Sequence, residues 1–186
     1  MDRSKNPFAV AFKTKPKQYI SQYQQMDEII DSFTANTPNV PLYMLTGVRG
    51  SGKTTLMVAV SEELRKNKNW LVIGLNVNSR DLLLSLASRL YDEPLFSPLI
   101  LEAKIDLSIL GIGVSINNAH KYSDVTSAIK QLLKNAKKLN KRVLVTIDDV
   151  ANNINIREFC TAFTMFVYEG YPLFLLMTGL CQLPIT

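Results

Sequence analysis

One short stretch restricts the fold more than any other feature of the chain. Residues 42–56 read LYMLTGVRGSGKTTL, and the middle of this stretch fits the pattern G-x-x-x-x-G-K-[ST]. An apolar run precedes the pattern, and Leu56, Val60 and Leu64 follow it at helical spacing. A glycine-rich loop between a buried strand and a helix forms a cradle for phosphate groups. The stretch therefore predicts an α/β fold with a phosphorylated ligand.

The residues of this predicted loop indicate which ligand it holds. Glycines let the backbone approach a ligand closely, and successive backbone N–H groups form a nest for anionic oxygens. Lys53 brings a positive charge toward the β- and γ-phosphates, and the hydroxyl of Thr54 is suited to Mg²⁺. We therefore predict that ATP or ADP binds with Mg²⁺ to Gly47, Val48, Arg49, Gly50, Ser51, Gly52, Lys53, Thr54 and Thr55.

Composition excludes several other classes of protein. The 186 residues suffice for one domain with a sizeable core. The N-terminal residues contain no apolar segment of signal-peptide length, and the longest apolar runs are too short to cross a membrane. With two cysteines, one histidine and no Cys/His cluster, zinc is disfavoured, and Cys160 is predicted to be a buried free thiol. These features predict a cytoplasmic protein without a membrane partner.

Strand and helix patterns alternate along the chain and predict its organisation. Residues 1–40 are predicted to be an irregular lead-in with a short helix, and residues 41–186 the core. Period-2 alternation of apolar residues over 104–117 predicts an inserted β-hairpin. Alternating strands and helices predict a parallel sheet with helices on both faces. Further strands are predicted at 70–77, 142–150 and 172–179. One further helix is predicted to begin at a cap formed by Asn78 or Ser79, and two others span 123–140 and 155–169.

Three residues lie at the ends of apolar runs, at the carboxyl ends of the predicted strands, where ligands bind in parallel sheets. They are Gly47, Asp148 and Thr178. Asp148 is predicted to act with Thr54 on Mg²⁺, directly or through water. Asp149 would then face the γ-phosphate as a base or water-orienting residue. Thr178 offers a hydroxyl to the attacking water or the γ-phosphate, although a purely structural threonine is also typical at a strand end.

The segments GVRGSGKTTL, VLVTIDDV and LLMTG, in this order, resemble the AAA+ ATPases of the origin-recognition type. They are similar to a bacterial group described simply as AAA ATPase or ATP-binding proteins. The resemblance covers most of the chain and implies a three-layer P-loop NTPase core with an inserted β-hairpin. It also implies that Gly47 to Thr55 hold ATP, that Asp148 is the Mg²⁺-linked acid and that Thr178 occupies the sensor-1 position.

The chain departs from this resemblance at three places. Ser21-Gln22 stands roughly where many members have Gly-Arg, and Asp148-Asp149 replaces the common Asp-Glu pair. The sequence ends at Thr186, so we expect a fragment that stops before the fifth strand and helical lid of this family. In addition, no arginine ends the fourth helix, at Tyr168-Glu169-Gly170, to act as a finger on the nucleotide of a neighbour. The Asp-Asp pair also resembles the STAND class of signalling NTPases.

Several functions remain open at this point. The chain could be a module that couples ATP binding and slow hydrolysis to conformational change, or a nucleotide-gated switch. It could also be an ATP-regulated DNA-binding protein, whereas a small-molecule kinase is disfavoured because no acceptor motif is present. Protein partners or self-association are compatible with each alternative. The formal net charge of +5 is compatible with DNA, but a basic run on a helix is more often a solvated face.

Overall fold

Helices separate all four strands in the described part of the chain. The computed structural model describes residues 17–38, 40–96 and 118–180. The helices are α1 (Lys17–Thr34), α2 (Lys53–Lys66), α3 (Leu82–Tyr91), α4 (Asn118–Lys138) and α5 (Ile154–Tyr168), with a short 3-10 helix at Pro94–Phe96. The strands are β1 (Leu42–Gly47), β2 (Trp70–Leu75), β3 (Arg142–Val150) and β4 (Leu173–Leu180).

The four strands form one sheet in the order β1-β4-β3-β2, and all neighbours are parallel. The first crossover, through α2, carries the chain from one edge strand to the other, and the later crossovers bring it back toward β1. The predicted parallel α/β sheet is therefore confirmed. Because parallel strands share one direction, the carboxyl ends of β1, β4 and β3 lie side by side.

Helices cover both faces of the sheet and produce three layers. The central strand β3 shows how the sequence achieves this: Val143, Val145 and Ile147 pack with α3, α4 and α5, whereas Leu144 packs with α1 and α2. All four of these side chains are fully buried. Successive side chains of a strand point to opposite faces. A nearly continuous apolar run such as that of β3 is therefore what a strand buried on both faces requires.

Helix α1 ends against the sheet through an aromatic cluster and an arginine. The ring of Phe33 lies 5.4 Å from the ring of Tyr43 and 5.2 Å from that of Phe174. Arg142, at the start of β3, donates hydrogen bonds to the carbonyl oxygens of Phe33 (2.6 Å) and Ala35 (3.1 Å). These carbonyls belong to the helix end, which lacks intrahelical donors, so the guanidinium caps α1 while anchoring it to β3.

Several predicted boundaries differ from the observed ones. Helix α1 spans 18 residues and is longer than the short helix predicted in the lead-in. Helix α4 begins at Asn118, before the predicted start at 123. Helix α3 is capped by Asp81, whose carboxylate accepts the amide of Leu84, and not by Asn78 or Ser79. The hairpin predicted at 104–117 lies outside the described residues, and the division of the chain at residue 40 stays a prediction.

Candidate functional site

The predicted site residues meet at one edge of the sheet. The loop after β1, Thr178 on β4 and Asp148 on β3 are neighbours there because these three strands are adjacent. Alternation along each strand also sets the face. Leu144 and Leu176 pack on the α1/α2 face, and Asp148 and Thr178 follow them at even spacing, so both lie on that face. Helix α2, which begins at Lys53, starts beside them.

The loop between β1 and α2 has the left-handed backbone that its glycines allow. Gly50 has φ of 80° and Gly52 has φ of 85°. The amide of Ser51 donates to the carbonyl of Val48 at 3.3 Å, which closes a turn around Arg49 and Gly50. A positive φ at the third position of a turn strongly favours glycine. Of the predicted loop residues, Val48, Arg49, Gly50, Ser51, Thr54 and Thr55 are exposed, and Gly47, Gly52 and Lys53 are half-buried.

Lys53 extends along the inside of this loop. Its Nζ donates to the carbonyl oxygens of Val48 at 2.8 Å and Gly47 at 3.1 Å, and it lies 3.4 Å from Oγ of Ser51. The ammonium group is therefore held at the mouth of the loop by backbone acceptors. A fixed positive charge next to left-handed, glycine-rich backbone is the electrostatic environment that a phosphate group requires.

A second set of contacts joins the start of α2 to the ends of β3 and β4. The hydroxyl of Thr54 donates to the carboxylate of Asp148, with distances of 2.9 Å to Oδ1 and 3.1 Å to Oδ2. The hydroxyl of Thr178 donates to Oδ1 of the same carboxylate. The structure thus brings together Thr54, Asp148 and Thr178, three residues that are far apart in the sequence.

Asp149 occupies an unusual backbone position at this edge. Its φ is 56°, in the left-handed region, and its side chain is exposed. Its amide donates to Oγ1 of Thr178 at 2.8 Å. Sequence patterns identified Asp148, Asp149 and Thr178 separately but missed these contacts among them. The even spacing from buried leucines could have placed Asp148 and Thr178 on one face, but no sequence signal marked the conformation of Asp149.

Cys160 has no place in this site. It lies on α5, half-buried beside the core between α5 and the sheet. Burial raises the pKa of its thiol above the ordinary value. A raised pKa leaves the thiol protonated at neutral pH, so a structural role is favoured over a nucleophilic one.

Comparison with solved structures shows the same fold in a larger protein. In the structure of Drosophila ORC bound to DNA, one chain superposes with a TM-score of 0.52 at 21% sequence identity. The match covers 91% of this chain and 38% of that chain. The present chain therefore spans well under half of that protein, and the likeness concerns the fold.

Comparison with protein families identifies the relationship more directly. No curated protein matches the chain. The family model described as AAA domain matches residues 39–147. This match begins before β1, includes the loop and α2, and ends at Ile147, one residue before the acid pair. Since the matched residues make up more than half of the 186-residue sequence, the chain belongs to the AAA domain family.

Proposed function

We propose that this nucleotide-binding AAA module binds Mg-ATP through Gly47 to Thr55 and couples binding and slow hydrolysis to a conformational change. The observation that carries the proposal is the joint placement of two groups at one sheet edge. One is Lys53, held at the mouth of the loop by the carbonyls of Gly47 and Val48. The other is the Thr54–Asp148 pair at 2.9 Å. The first suits phosphate and the second suits a metal bound to that phosphate.

The donor set at the second group fits Mg²⁺. Thr54 and Asp148 present a hydroxyl and a carboxylate, and Mg²⁺ prefers oxygen ligands while keeping several of its own waters. Thr54 would be the direct protein ligand, and Asp148 would hold Thr54 in orientation and accept hydrogen bonds from metal-bound water. When bound, the ion would neutralise charge on the β- and γ-phosphates.

Asp148→Asn tests this metal assignment. The substitution keeps the size of the side chain but removes the negative charge beside Thr54. Titration calorimetry with ATP, first with excess Mg²⁺ and then with EDTA, gives the contribution of the metal to affinity. We expect Asp148→Asn to reduce that contribution on the order of tenfold, or about 1.4 kcal/mol. Affinity in EDTA should stay within about twofold of the unmodified chain, which is well under 1 kcal/mol.

Asp92→Asn is the matched control, because Asp92 is an exposed acid just after α3, in the part of the chain next to the edge strand β2. It removes the same charge without touching the loop. An unchanged magnesium contribution in Asp148→Asn, with unchanged binding of ATP, would refute the role of Asp148 while leaving the loop in place.

A nucleotide-gated switch of the STAND type is the alternative that shares the same binding step. The two functions differ in turnover and not in affinity. The exposed, left-handed Asp149 favours slow hydrolysis, which is compatible with a module whose bound nucleotide mainly sets its conformation. Exposed apolar side chains along α5, at Ile154, Met165 and Tyr168, support a protein partner or self-association as the recipient of that change.

DNA binding receives less support from the described residues. The basic run on and after α4 is largely occupied by contacts within the chain. Lys130 lies 2.6 Å from the carboxylate of Glu169, and Lys137 donates to the carbonyl of Gly170 at 3.0 Å. Lys141 donates to the carbonyl of Lys68, and Arg142 caps α1. Side chains that already hold the ends of helices and turns are less available to phosphates.

We therefore expect no sub-micromolar binding of a DNA duplex by residues 1–186 at physiological salt. Fluorescence anisotropy with a labelled duplex, over a series of salt concentrations, measures this directly. Tight binding that weakens steeply with salt would show that the basic groups neutralise phosphates. That result would support the ATP-regulated DNA-binding alternative instead. The ion pair of Lys130 with Glu169 gives an internal check, because Glu169→Gln should then change the affinity.

A further inference from the structure

The end of β3 contains one residue more than the strand beside it. Ile147 is opposite Met177, and Val150 is opposite Gly179. Three steps along β3 thus correspond to two steps along β4, which defines a β-bulge. The residues inside the bulge are Asp148 and Asp149, so the acid pair of the proposed site is displaced from regular strand geometry.

The backbone of Asp149 restricts which residues the bulge accepts. Its φ of 56° is disfavoured for most L-residues, because Cβ then crowds the backbone, and only glycine adopts it freely. Aspartate and asparagine tolerate this region better than other residues. Asn140, with φ of 52°, is the other non-glycine residue with positive φ in the described ranges. The chain thus follows this preference at both positions.

Close packing holds the far side of the bulge. A Cβ added to Gly179 would lie 3.0 Å from the carbonyl oxygen of Val150 and 2.5 Å from Cε of Met44. The strands therefore approach closely just after Asp149. Since Val150 is fixed against Gly179, the extra residue must be accommodated between Ile147 and Val150 and not further along the chain.

Thr178 supplies the hydrogen bonds that a bulge removes. Its side chain is only 1% exposed, and its hydroxyl accepts the amide of Asp149 at 2.8 Å. Its single O–H proton is donated to Oδ1 of Asp148. The O–H proton and one acceptor position of the hydroxyl are thus used by the two residues of the bulge, and the amide of Asp149 has a partner where the pairing with β4 is interrupted.

We infer that Thr178 is a positioning residue that fixes the bulge and aims the Asp148 carboxylate at Thr54, and that it does not contact the nucleotide. We further infer that the bulge explains aspartate at position 149, because its left-handed backbone favours a short side chain. The part of the inference that concerns Asp148 and Mg²⁺ rests on the proposed function. The inference about Thr178 differs from the expectation that its hydroxyl touches the γ-phosphate or attacking water.

Thr178→Val and Thr178→Ser form the matched pair that tests the first part. Valine keeps the shape and removes the hydroxyl, whereas serine keeps the hydroxyl. In nucleotide-free protein, we expect amide exchange at Asp149, followed by NMR, to accelerate by about tenfold or more in Thr178→Val and to recover in Thr178→Ser. Unchanged exchange in Thr178→Val would overturn the inference whether or not the chain binds ATP.

Nucleotide titrations then separate positioning from direct contact. If Thr178 acts through Asp148, Thr178→Val weakens ATP binding by about tenfold with Mg²⁺ but by less than about twofold with EDTA. Direct contact with the γ-phosphate would instead weaken ATP binding under both conditions and spare ADP, and this result would overturn the inference. If the unmodified chain binds no ATP at all, the proposed function fails while the exchange measurement still decides the structural role.

Asp149→Gly and Asp149→Ala test the backbone part and do not depend on the folding of Thr178→Val. In the middle of a regular strand, a protein with glycine is less stable than the same protein with alanine. At a left-handed position the order reverses, so we expect a higher urea midpoint for Asp149→Gly than for Asp149→Ala. The opposite order would show that the bulge does not impose this conformation in solution.

Discussion

Lys53→Ala should weaken the binding of Mg-ATP by about 30- to 150-fold, or roughly 2–3 kcal/mol. The ammonium group lies at the mouth of the loop, 2.8 Å from the carbonyl of Val48 and 3.1 Å from that of Gly47. It is therefore placed to make charge-assisted hydrogen bonds to phosphate oxygens without rearranging the loop. Titration calorimetry of both proteins with Mg-ATP measures the loss.

Lys134→Ala is the control, because Lys134 is an exposed lysine on α4. It removes one positive charge without affecting the loop and should leave affinity within about twofold, well under 1 kcal/mol. Because Lys53 also holds two loop carbonyls, urea denaturation of Lys53→Ala shows whether the loop has loosened. Equal affinity in the unmodified chain and Lys53→Ala would remove the loop from the proposed function.

Local sequence patterns predicted most of this fold because they report on neighbours along the chain. The apolar run of β3 indicated a strand buried on both faces, and the glycine-rich loop indicated a turn into a helix. These patterns also placed Asp148 and Thr178 at strand ends. They did not predict the order β1-β4-β3-β2, because strand neighbours are chosen by contacts between residues distant in the sequence.

The start of α3 shows why helix boundaries are harder to predict. Asn78 and Ser79 are good capping residues, but both donate their amides to Asn76 and form a turn before the helix. The side chain of Asn76 accepts the amide of Asn78 at 2.9 Å, and its carbonyl accepts the amide of Ser79 at 2.9 Å. Asp81 then caps the helix by accepting the amide of Leu84. Competing local hydrogen bonds of asparagine thus shift the boundary.

The bulge at Asp149 could not be predicted for a related reason. The segment VLVTIDDV reads as one continuous strand, and its pattern contains no interruption. The extra residue becomes visible only when β3 is aligned with β4, since Val150 is then opposite Gly179. A bulge is a property of a strand pair, so its residues are recognised only after the pairing is known.

The topology determines where an arginine at the end of α5 could stabilise charge during hydrolysis. The sequence contains no arginine at the end of the fourth predicted helix, which is α5 in the structure. That helix leads from the carboxyl end of β3 to the amino end of β4, so it ends at the sheet edge away from the loop. An arginine finger there would therefore act on the nucleotide of a neighbouring molecule and not on this chain's own loop. The expectation of slow turnover depends on the missing finger and on Asp149.

We expect the purified chain to release phosphate from saturating Mg-ATP well below the range of about 1–10³ s⁻¹ that is typical of enzymes. Asp149 is at the position where a water-orienting acid is expected. Its side chain has one methylene fewer than that of glutamate, so its carboxylate starts farther from the attacking water. The amide of Asp149 donates to Thr178 at 2.8 Å from a left-handed backbone, so a backbone shift that compensated for the shorter side chain would break this hydrogen bond. A displacement of about 1 Å in a catalytic group can reduce a rate on the order of a hundredfold.

Two substitutions at position 149 test whether the side chain of Asp149 determines the rate of turnover. Asp149→Asn keeps the shape and tolerates the same backbone, so it should retain Mg-ATP affinity while losing the turnover that remains. Asp149→Glu lengthens the side chain but fits the left-handed backbone poorly, so it should not raise turnover to the enzymatic range. A rate of about 1 s⁻¹ or more in the unmodified chain would favour an active ATPase over a slow switch. Equal turnover in the unmodified chain and Asp149→Asn would exclude Asp149 as the base, because an amide cannot accept the proton of the attacking water.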